Sequence, residues 1–347
     1  MSAVALVGLN VCVAAITAAG AAYFGRIRMP RPPVGRYELP DVAVVSVVVV
    51  AAPLVYLELP RAAVAVAFGL VLCSALQFTL APLSGGGRAW AVALGSVAAT
   101  AGCAFAGRTL AVMVLTDVLL AIAVVGVANM WAQSGMRSAH TAWFAGALAC
   151  YDLVATGLTS VMDRFAAQVM GLPFAPLLAV TRGDPPVALG LGDLLLLVLF
   201  PLVAVKAFGR AAGLLAAGIG LAVSAAVSAL FALGALSGAF PLLTALGPLI
   251  VLQHVLWVRA RGAERTVAEW RAGTPVAAAA AAPTDPDPEL LKALEPADAD
   301  GVGAGLPEGG WLAVLDGRVV GAGASPGLAR RDARLRGCAS VPVVRQA

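Results

Sequence analysis

Charged residues are scarce in this sequence, which has only 12% Asp, Glu, Lys and Arg among its 347 residues. With 61% hydrophobic residues and a mean hydropathy of +0.92, the composition excludes a soluble globular domain. Basic clusters with interleaved aromatic side chains are also missing, which excludes a nucleic-acid surface. The five cysteines are scattered, and their spacing indicates neither a zinc site nor a disulfide framework. The composition predicts an all-α polytopic membrane protein in contact with the lipid bilayer.

The few charges are distributed unevenly along the chain. Residues 1–258 hold 20 charged side chains, and the last 89 residues hold 22. We therefore expect a membrane domain over 1–258, a linker rich in Ala, Pro and Asp over 259–309, and a small C-terminal module over 310–347. In that module the pattern predicts a β-hairpin, a helix and a third strand, because Asp316-Gly317 favours a two-residue turn. Its role is not indicated by the sequence.

Nine apolar segments are long enough to cross a bilayer, which requires about 20 residues per helix. The segments are 3–25, 41–58, 61–82, 89–107, 109–132, 141–160, 187–208, 211–236 and 238–258.

Basic residues favour one side of the membrane. The loops after odd-numbered spans, together with the start of the tail, carry twelve Lys and Arg, against four on the other side. Because basic loops stay in the cytoplasm, we expect the N-terminus outside and the C-terminus inside. We expect the protein in the cytoplasmic membrane of a prokaryote.

Three acidic residues fall inside apolar spans: Asp117, Asp152 and Asp193. An ionised carboxylate in hydrocarbon costs several kcal/mol, so each is a functional candidate. Asp193 precedes a charge-free run, and Asp152 lies on the preceding span. Two carboxylates a few Å apart share one proton and can act as base and acid in peptide hydrolysis. This chemistry requires no metal and no cofactor.

The residues around these two acids resemble a known family. Tyr151-Asp152 and Gly190-Leu191-Gly192-Asp193 are similar to the YD and GxGD motifs of presenilins and signal peptide peptidases, which are intramembrane aspartyl proteases. Pro241-Leu242-Leu243, at the start of the ninth span, is similar to the family's Pro-Ala-Leu motif with Leu in place of Ala. The motifs cover residues 140–258, and the count of nine spans extends the resemblance to 1–258.

The resemblance implies a role for each motif. It assigns catalysis to Asp152 and Asp193, places Tyr151, Gly190, Leu191 and Gly192 as supports of the active site, and gives Pro241, Leu242 and Leu243 to substrate docking. Backbone near Pro241 that is not paired can bind an unwound peptide by strand addition. The expected orientation matches signal peptide peptidase, which implies membrane-embedded substrates that are type II-oriented helices or remnant signal peptides.

Asp117 and two rival functions remain open at this point. Asp117 either tunes the aspartate pair or makes a polar contact with Thr116 or with a neighbouring helix. One rival function is a prepilin-peptidase-like membrane aspartyl protease, which also uses a GxGD motif. The other is a proton-coupled transporter with a relay of intramembrane carboxylates, which predicts an internal repeat that the sequence does not show.

Overall fold

The structure is a computed structural model that divides into two compact units, Met1–Val276 and Ala277–Ala347. It describes residues 3–30, 39–179, 188–236, 240–262, 264–271, 273, 311–315, 318–323, 326–335 and 343–346.

The first unit is a bundle of helices with one two-stranded ribbon. Its elements are α1 (Ala3–Arg26), α2 (Leu39–Leu57), α3 (Arg61–Ser84), α4 (Gly86–Phe105), α5 (Thr109–Gln133), α6 (Ser138–Asp152), a π-helical turn (Leu153–Leu158), α7 (Val161–Val169), β1 (Leu177–Ala179), β2 (Ala188–Gly190), α8 (Leu191–Phe208), α9 (Arg210–Ala232), α10 (Leu242–Arg261) and α11 (Val267–Arg271).

Within the described ranges, nine helices are long and apolar enough to cross a membrane, all except the short α7 and α11. This confirms the predicted polytopic all-α class. The apolar runs of these helices contain few charges; α3, α8 and α10 each end directly before a glycine, and prolines lie inside α2, α3, α8 and α10. Gly209, for example, has φ 99° between α8 and α9, a conformation that residues with a side chain rarely adopt.

The largest difference from the predicted spans is at the start of α8. The sequence predicts a helix from residue 187, but Ala188–Gly190 is strand β2, which pairs antiparallel with β1. The helix begins only at Leu191, whose N–H donates to the carbonyl oxygen of Pro176 at 3.0 Å. The Leu191 N–H is thus bonded to the residue that precedes β1, and not to a carbonyl oxygen of a preceding helical turn.

Helix α8 is the centre of the bundle. Every residue from Leu196 to Ala204 is buried, so the helix is enclosed on all faces by other helices. Its neighbours include α1, α5, α6, α9 and α10. Helices α6 and α10 pack closely because Gly247 lies against α6, where a Cβ would approach the carbonyl oxygen of Ala145 to 2.7 Å.

The beginning of the predicted linker is folded, which corrects the boundary expected at residue 259. Helix α10 extends to Arg261, and α11 follows it. The Trp270 ring stacks on Phe24 of α1 with centroids 4.4 Å apart, and the Arg265 side chain donates to the carbonyl oxygens of Val205 and Lys206 at 2.9 and 3.0 Å. These contacts hold the segment to the bundle. Most of the remaining predicted linker lies outside the described residues.

The second unit contains a small three-stranded sheet and one helix. Strands β3 (Trp311–Leu315), β4 (Arg318–Gly323) and β5 (Val343–Gln346) pair antiparallel in the order β4-β3-β5, and α12 spans Pro326–Leu335. The predicted Asp316-Gly317 turn lies outside the described residues. The described elements agree with the predicted hairpin, helix and third strand.

Candidate active site on helices α6, α8 and α10

Asp152 is the last residue of α6, where the helix passes into the π-helical turn. Thr156, one turn later, donates its Oγ1 hydroxyl to Asp152 Oδ1 at 2.9 Å. The backbone N–H of Leu243, at the start of α10, donates to Oδ2 at 3.0 Å. The first N–H groups of a helix have no partner within the helix, so a carboxylate is a favourable acceptor for them. Asp152 therefore joins α6 to the start of α10.

Asp193 lies in the first turn of α8, directly after strand β2. The backbone N–H of Gly190 donates to its carboxylate. A Cβ at Gly190 would lie 3.0 Å from Asp193 Oδ2, tighter than ordinary contacts between these atoms. A side chain at this position would displace the carboxylate by a few tenths of an ångström, because the carboxylate folds back over the strand that precedes its helix.

The fold brings the two aspartates and the third motif together. Asp152 and Asp193 lie near enough to interact electrostatically. A Cβ at Gly192 would be 3.9 Å from the Leu243 side chain, an ordinary van der Waals distance. Segments that are far apart in the sequence thus meet at one end of the bundle, where two carboxylates lie beside a helix N-terminus.

The Pro241–Leu243 motif lies on the buried side of this site. Leu242 and Leu243 are only 5% and 7% exposed, so their side chains pack in the core instead of facing a substrate. Pro241 lies immediately before α10, and its carbonyl oxygen accepts the Thr244 N–H at 3.1 Å. The predicted role in substrate docking therefore has no exposed leucine side chains at these two positions to act through. What the motif contributes directly is the Leu243 N–H.

Tyr151 and Leu191 lie beside the carboxylates without bonding to them. The Tyr151 hydroxyl donates to Met162 Sδ at 3.9 Å, and Leu191 is fixed through its backbone to Pro176. Tyr151 therefore packs beside Asp152, and its hydroxyl group contacts Met162.

Asp117 contacts neither of the other two aspartates in the hydrogen bonds that the structure describes. Its Oδ1 accepts the backbone N–H of Ala179 in β1 at 3.0 Å. The adjacent Thr116 Oγ1 accepts the N–H of Phe174 at 3.2 Å. Thr116 and Asp117 therefore bind β1 and the segment that leads into it, and the expected contact of Asp117 with Thr116 or a neighbouring helix is replaced by one with the β-ribbon.

Sequence reasoning missed the polar residues at the opposite end of α8. Lys206, counted as a loop charge, is only 2% exposed, and its Nζ donates to the carbonyl oxygens of Ala132, at 2.9 Å, and of Met136. Its position in the last turn of an apolar helix was the available signal. Nearby, Glu264 accepts the N–H of Ser138 at 2.8 Å.

Below this end of the bundle, outside the membrane helices, burial lowers the pKa of Arg265, and Glu269 partly counteracts the shift. An arginine retains its charge at neutral pH nonetheless. It therefore remains a cation beside the carbonyl oxygens that end α8.

No family model, curated protein or solved structure matches this chain. The part of the chain that the structure describes also has no group of three His, Cys, Asp or Glu side chains placed to hold a metal ion. Interpretation of the site therefore depends on its geometry and on the sequence motifs.

Proposed function

We propose that this protein is an intramembrane aspartyl endopeptidase that uses Asp152 and Asp193 as its acid–base pair. The observation that carries the proposal is the meeting of these two carboxylates, one on α6 and one on α8, beside the first N–H groups of α10. Two acids in a largely apolar surrounding share a proton, which provides one base and one acid at neutral pH.

The hydrogen bonds favour Asp152 as the base. It accepts bonds from Thr156 Oγ1 and from the Leu243 N–H, and donors of this kind stabilise a carboxylate. Asp193, which faces that charge, then carries the shared proton. Asp152 removes a proton from a water molecule whose oxygen attacks the peptide carbonyl carbon, while Asp193 protonates the carbonyl oxygen. In the resulting gem-diol, the proton held by Asp152 passes to the nitrogen, the C–N bond breaks, and Asp193 takes up one hydroxyl proton, which leaves a carboxylic acid and an amine and restores the pair.

The proposed substrates are membrane-embedded peptides: type II-oriented helices or remnant signal peptides. An odd number of membrane crossings places the N- and C-termini on opposite sides of the membrane, and the excess of basic residues favours the cytoplasm for the C-terminus. The aspartate pair then lies towards the outer side, where a type II helix has its C-terminal half. An extended segment of such a peptide fits beside β2, the strand that leads directly to Asp193.

The test is cleavage by purified protein in liposomes containing a type II-oriented helical peptide. We expect Asp152→Asn and Asp193→Asn each to lower the cleavage rate by about 100- to 10,000-fold, because half of the pair cannot supply both base and acid. Asp163→Asn, a matched change at an exposed residue of α7, should leave the rate unchanged. Folding is checked by thermal unfolding, and peptide binding should persist.

Three results would contradict the proposal. Cleavage retained by either aspartate variant removes the acid–base pair. Cleavage confined to peptide bonds outside the bilayer favours a prepilin-peptidase-like enzyme. Proton-coupled flux that is lost in the same variants, without any cleavage, favours a transporter.

A further inference from the structure

We infer that Asp117 is a positioning residue: its carboxylate anchors the outer edge of β1, and the β1–β2 ribbon in turn holds Asp193 in place. This inference rests on the proposed function for its catalytic consequence, although the anchor itself is a structural statement. Asp117 lies on α5, and the only hydrogen bond described for its carboxylate is the one from the Ala179 N–H, at 3.0 Å.

The strand register explains why this bond falls on an outer edge. In an antiparallel pair, opposed residues alternate between pairs that exchange hydrogen bonds and pairs whose N–H and C=O groups point outward. Ala179 is opposite Ala188, and Leu177 is opposite Gly190, two residues along the strand and therefore in the same class. Since the Ala179 N–H donates to Asp117, both of these pairs point outward, and the Leu178–Leu189 pair between them exchanges the bonds.

The same alternation accounts for the opposite edge of the ribbon. The N–H of Gly190, which points away from β1, donates to the carboxylate of Asp193. Two carboxylates thus bind the two outer edges of one short ribbon, Asp117 at β1 and Asp193 at β2. A displacement of β1 is transmitted through the strand pair to Gly190, and from there to Asp193.

A second contact fixes the segment that enters the ribbon. The Phe174 N–H donates to Thr116 Oγ1, and Phe174 has φ 66°, a left-handed conformation that is uncommon for a bulky residue. The Phe174 ring lies over Gly69 of α3, where a Cβ would be 3.1 Å from the ring. Strained backbone of this kind persists only where surrounding contacts hold it. The segment is therefore pinned by α5 and α3 together.

Packing does little to replace the Asp117 bond. A cavity of about 320 Å³ lies between α5 and the ribbon, and it is lined by Asp117, Val112, Met113, Leu177, Ala179 and Ala188, among others. Leu178 and Leu189 pack one face of the ribbon into the core, whereas Leu177, Ala179 and Ala188 on the other face border this cavity. Removing the Asp117 acceptor should consequently release β1 instead of being absorbed by tight packing.

A positioning role needs a hydrogen-bond acceptor at residue 117, whereas a proton-relay or charge-tuning role needs an ionisable group. Asparagine keeps the acceptor oxygen and loses the ionisable proton, so it separates the two roles. Asp117→Asn and Asp117→Ala are the decisive pair. Thr116→Val removes the neighbouring acceptor, and Thr100→Val is its matched control, since the Thr100 hydroxyl is bonded only to Ser96 of its own helix α4 in the described contacts.

The experiment measures kcat and KM for cleavage of the helical peptide, and amide hydrogen exchange over 174–179 and 188–190. We expect Asp117→Ala to lower kcat by about tenfold to a hundredfold, because small misplacements of a catalytic group are costly. Exchange in both segments should rise by about tenfold. Asp117→Asn should restore both readouts to within about threefold of the wild type. Thr116→Val should fall between these two, and Thr100→Val should match the wild type.

Two results would overturn the inference. Unchanged amide exchange in folded Asp117→Ala shows that the carboxylate does not anchor the ribbon. An equal loss of kcat in the Asn and Ala variants shows that the charge matters and not the acceptor. If the wild-type protein cleaves no peptide, the proposed protease function fails, while the exchange comparison still decides whether the anchor exists.

Discussion

Helix α8 is the most enclosed helix of the bundle, and each of its ends carries one charged side chain. The groups that surround these two side chains differ. At the last turn, the buried Lys206 ammonium donates to two backbone carbonyl oxygens, and it interacts with both the carboxylate of Glu264 and the guanidinium of Arg137. At the first turn, Asp193 is near a like charge, Asp152.

The surroundings of Lys206 indicate a structural role, whereas those of Asp193 are the basis of the proposed chemistry. A buried cation surrounded by acceptors is stable as it stands, and it links the end of α5 to α8. Two carboxylates that interact are unfavourable unless they share a proton, and the proposed function is the use that we assign to that proton. The kind of neighbour, more than burial itself, distinguishes the two ends.

The largest expected effect is on stability, at the lysine end. Lys206→Met keeps the length of the side chain but leaves the carbonyl oxygens of Ala132 and Met136 without this donor, which should lower the free energy of unfolding by on the order of 3 kcal/mol. Thermal unfolding in detergent measures this. Arg210→Met, an equal change of charge at an exposed position, is the control. Cleavage per folded molecule should remain at the wild-type rate; if it disappears, the two ends are not independent.

A smaller effect, on activity, is expected at the aspartate end. Gly190→Ala introduces a Cβ 3.0 Å from Asp193 Oδ2 and should lower kcat by about tenfold, since the carboxylate must move. Gly192→Ala introduces a Cβ at the ordinary distance of 3.9 Å from Leu243, and its rate should stay within about threefold of the wild type. Steady-state cleavage kinetics compare the two. Equal rates in both variants would contradict the close approach at Gly190.

The smallest effect is expected from Glu264→Gln. Glutamine retains an acceptor for the Ser138 N–H, bonded now at 2.8 Å, and loses the electrostatic attraction to Lys206 and to His254. The cost should be about 1 kcal/mol or less in thermal unfolding, with no change in kcat. If Glu264→Gln lowers the free energy of unfolding as much as Lys206→Met does, Lys206 depends on the Glu264 carboxylate more than on the carbonyl oxygens of Ala132 and Met136.

The membrane helices were predictable because their signal is local. Runs of apolar residues interrupted by Pro, Gly or Arg define spans without knowledge of their neighbours, and helices of suitable length occur at all nine predicted segments. The proximity of Asp152 and Asp193 was also expected, since consecutive spans commonly pack side by side. The roles of these residues stay predictions.

Features that depend on distant partners were not predictable. Strands β1 and β2 have three residues each, too few for an alternating pattern; β1 lies in a segment that reads as an apolar loop, and β2 lies at the start of the predicted seventh span. The bond from Ala179 to Asp117 connects positions 62 residues apart. Lys206 was counted with the loop charges because its acceptors, the carbonyl oxygens of Ala132 and Met136, lie about 70 residues away in the sequence. Likewise, α11 is held by Phe24 near the other end of the chain.

The short length of α8 has a consequence for water. Its 18 residues span about 27 Å, a few Å less than the roughly 30 Å thickness of the hydrocarbon core. The β1–β2 ribbon continues the chain from the first turn of α8. Non-helical backbone at membrane depth is tolerated only where protein or a water-filled space surrounds it. The ribbon therefore needs protein or water around it, and under the proposed function we expect water to approach the aspartate pair at this corner of the bundle.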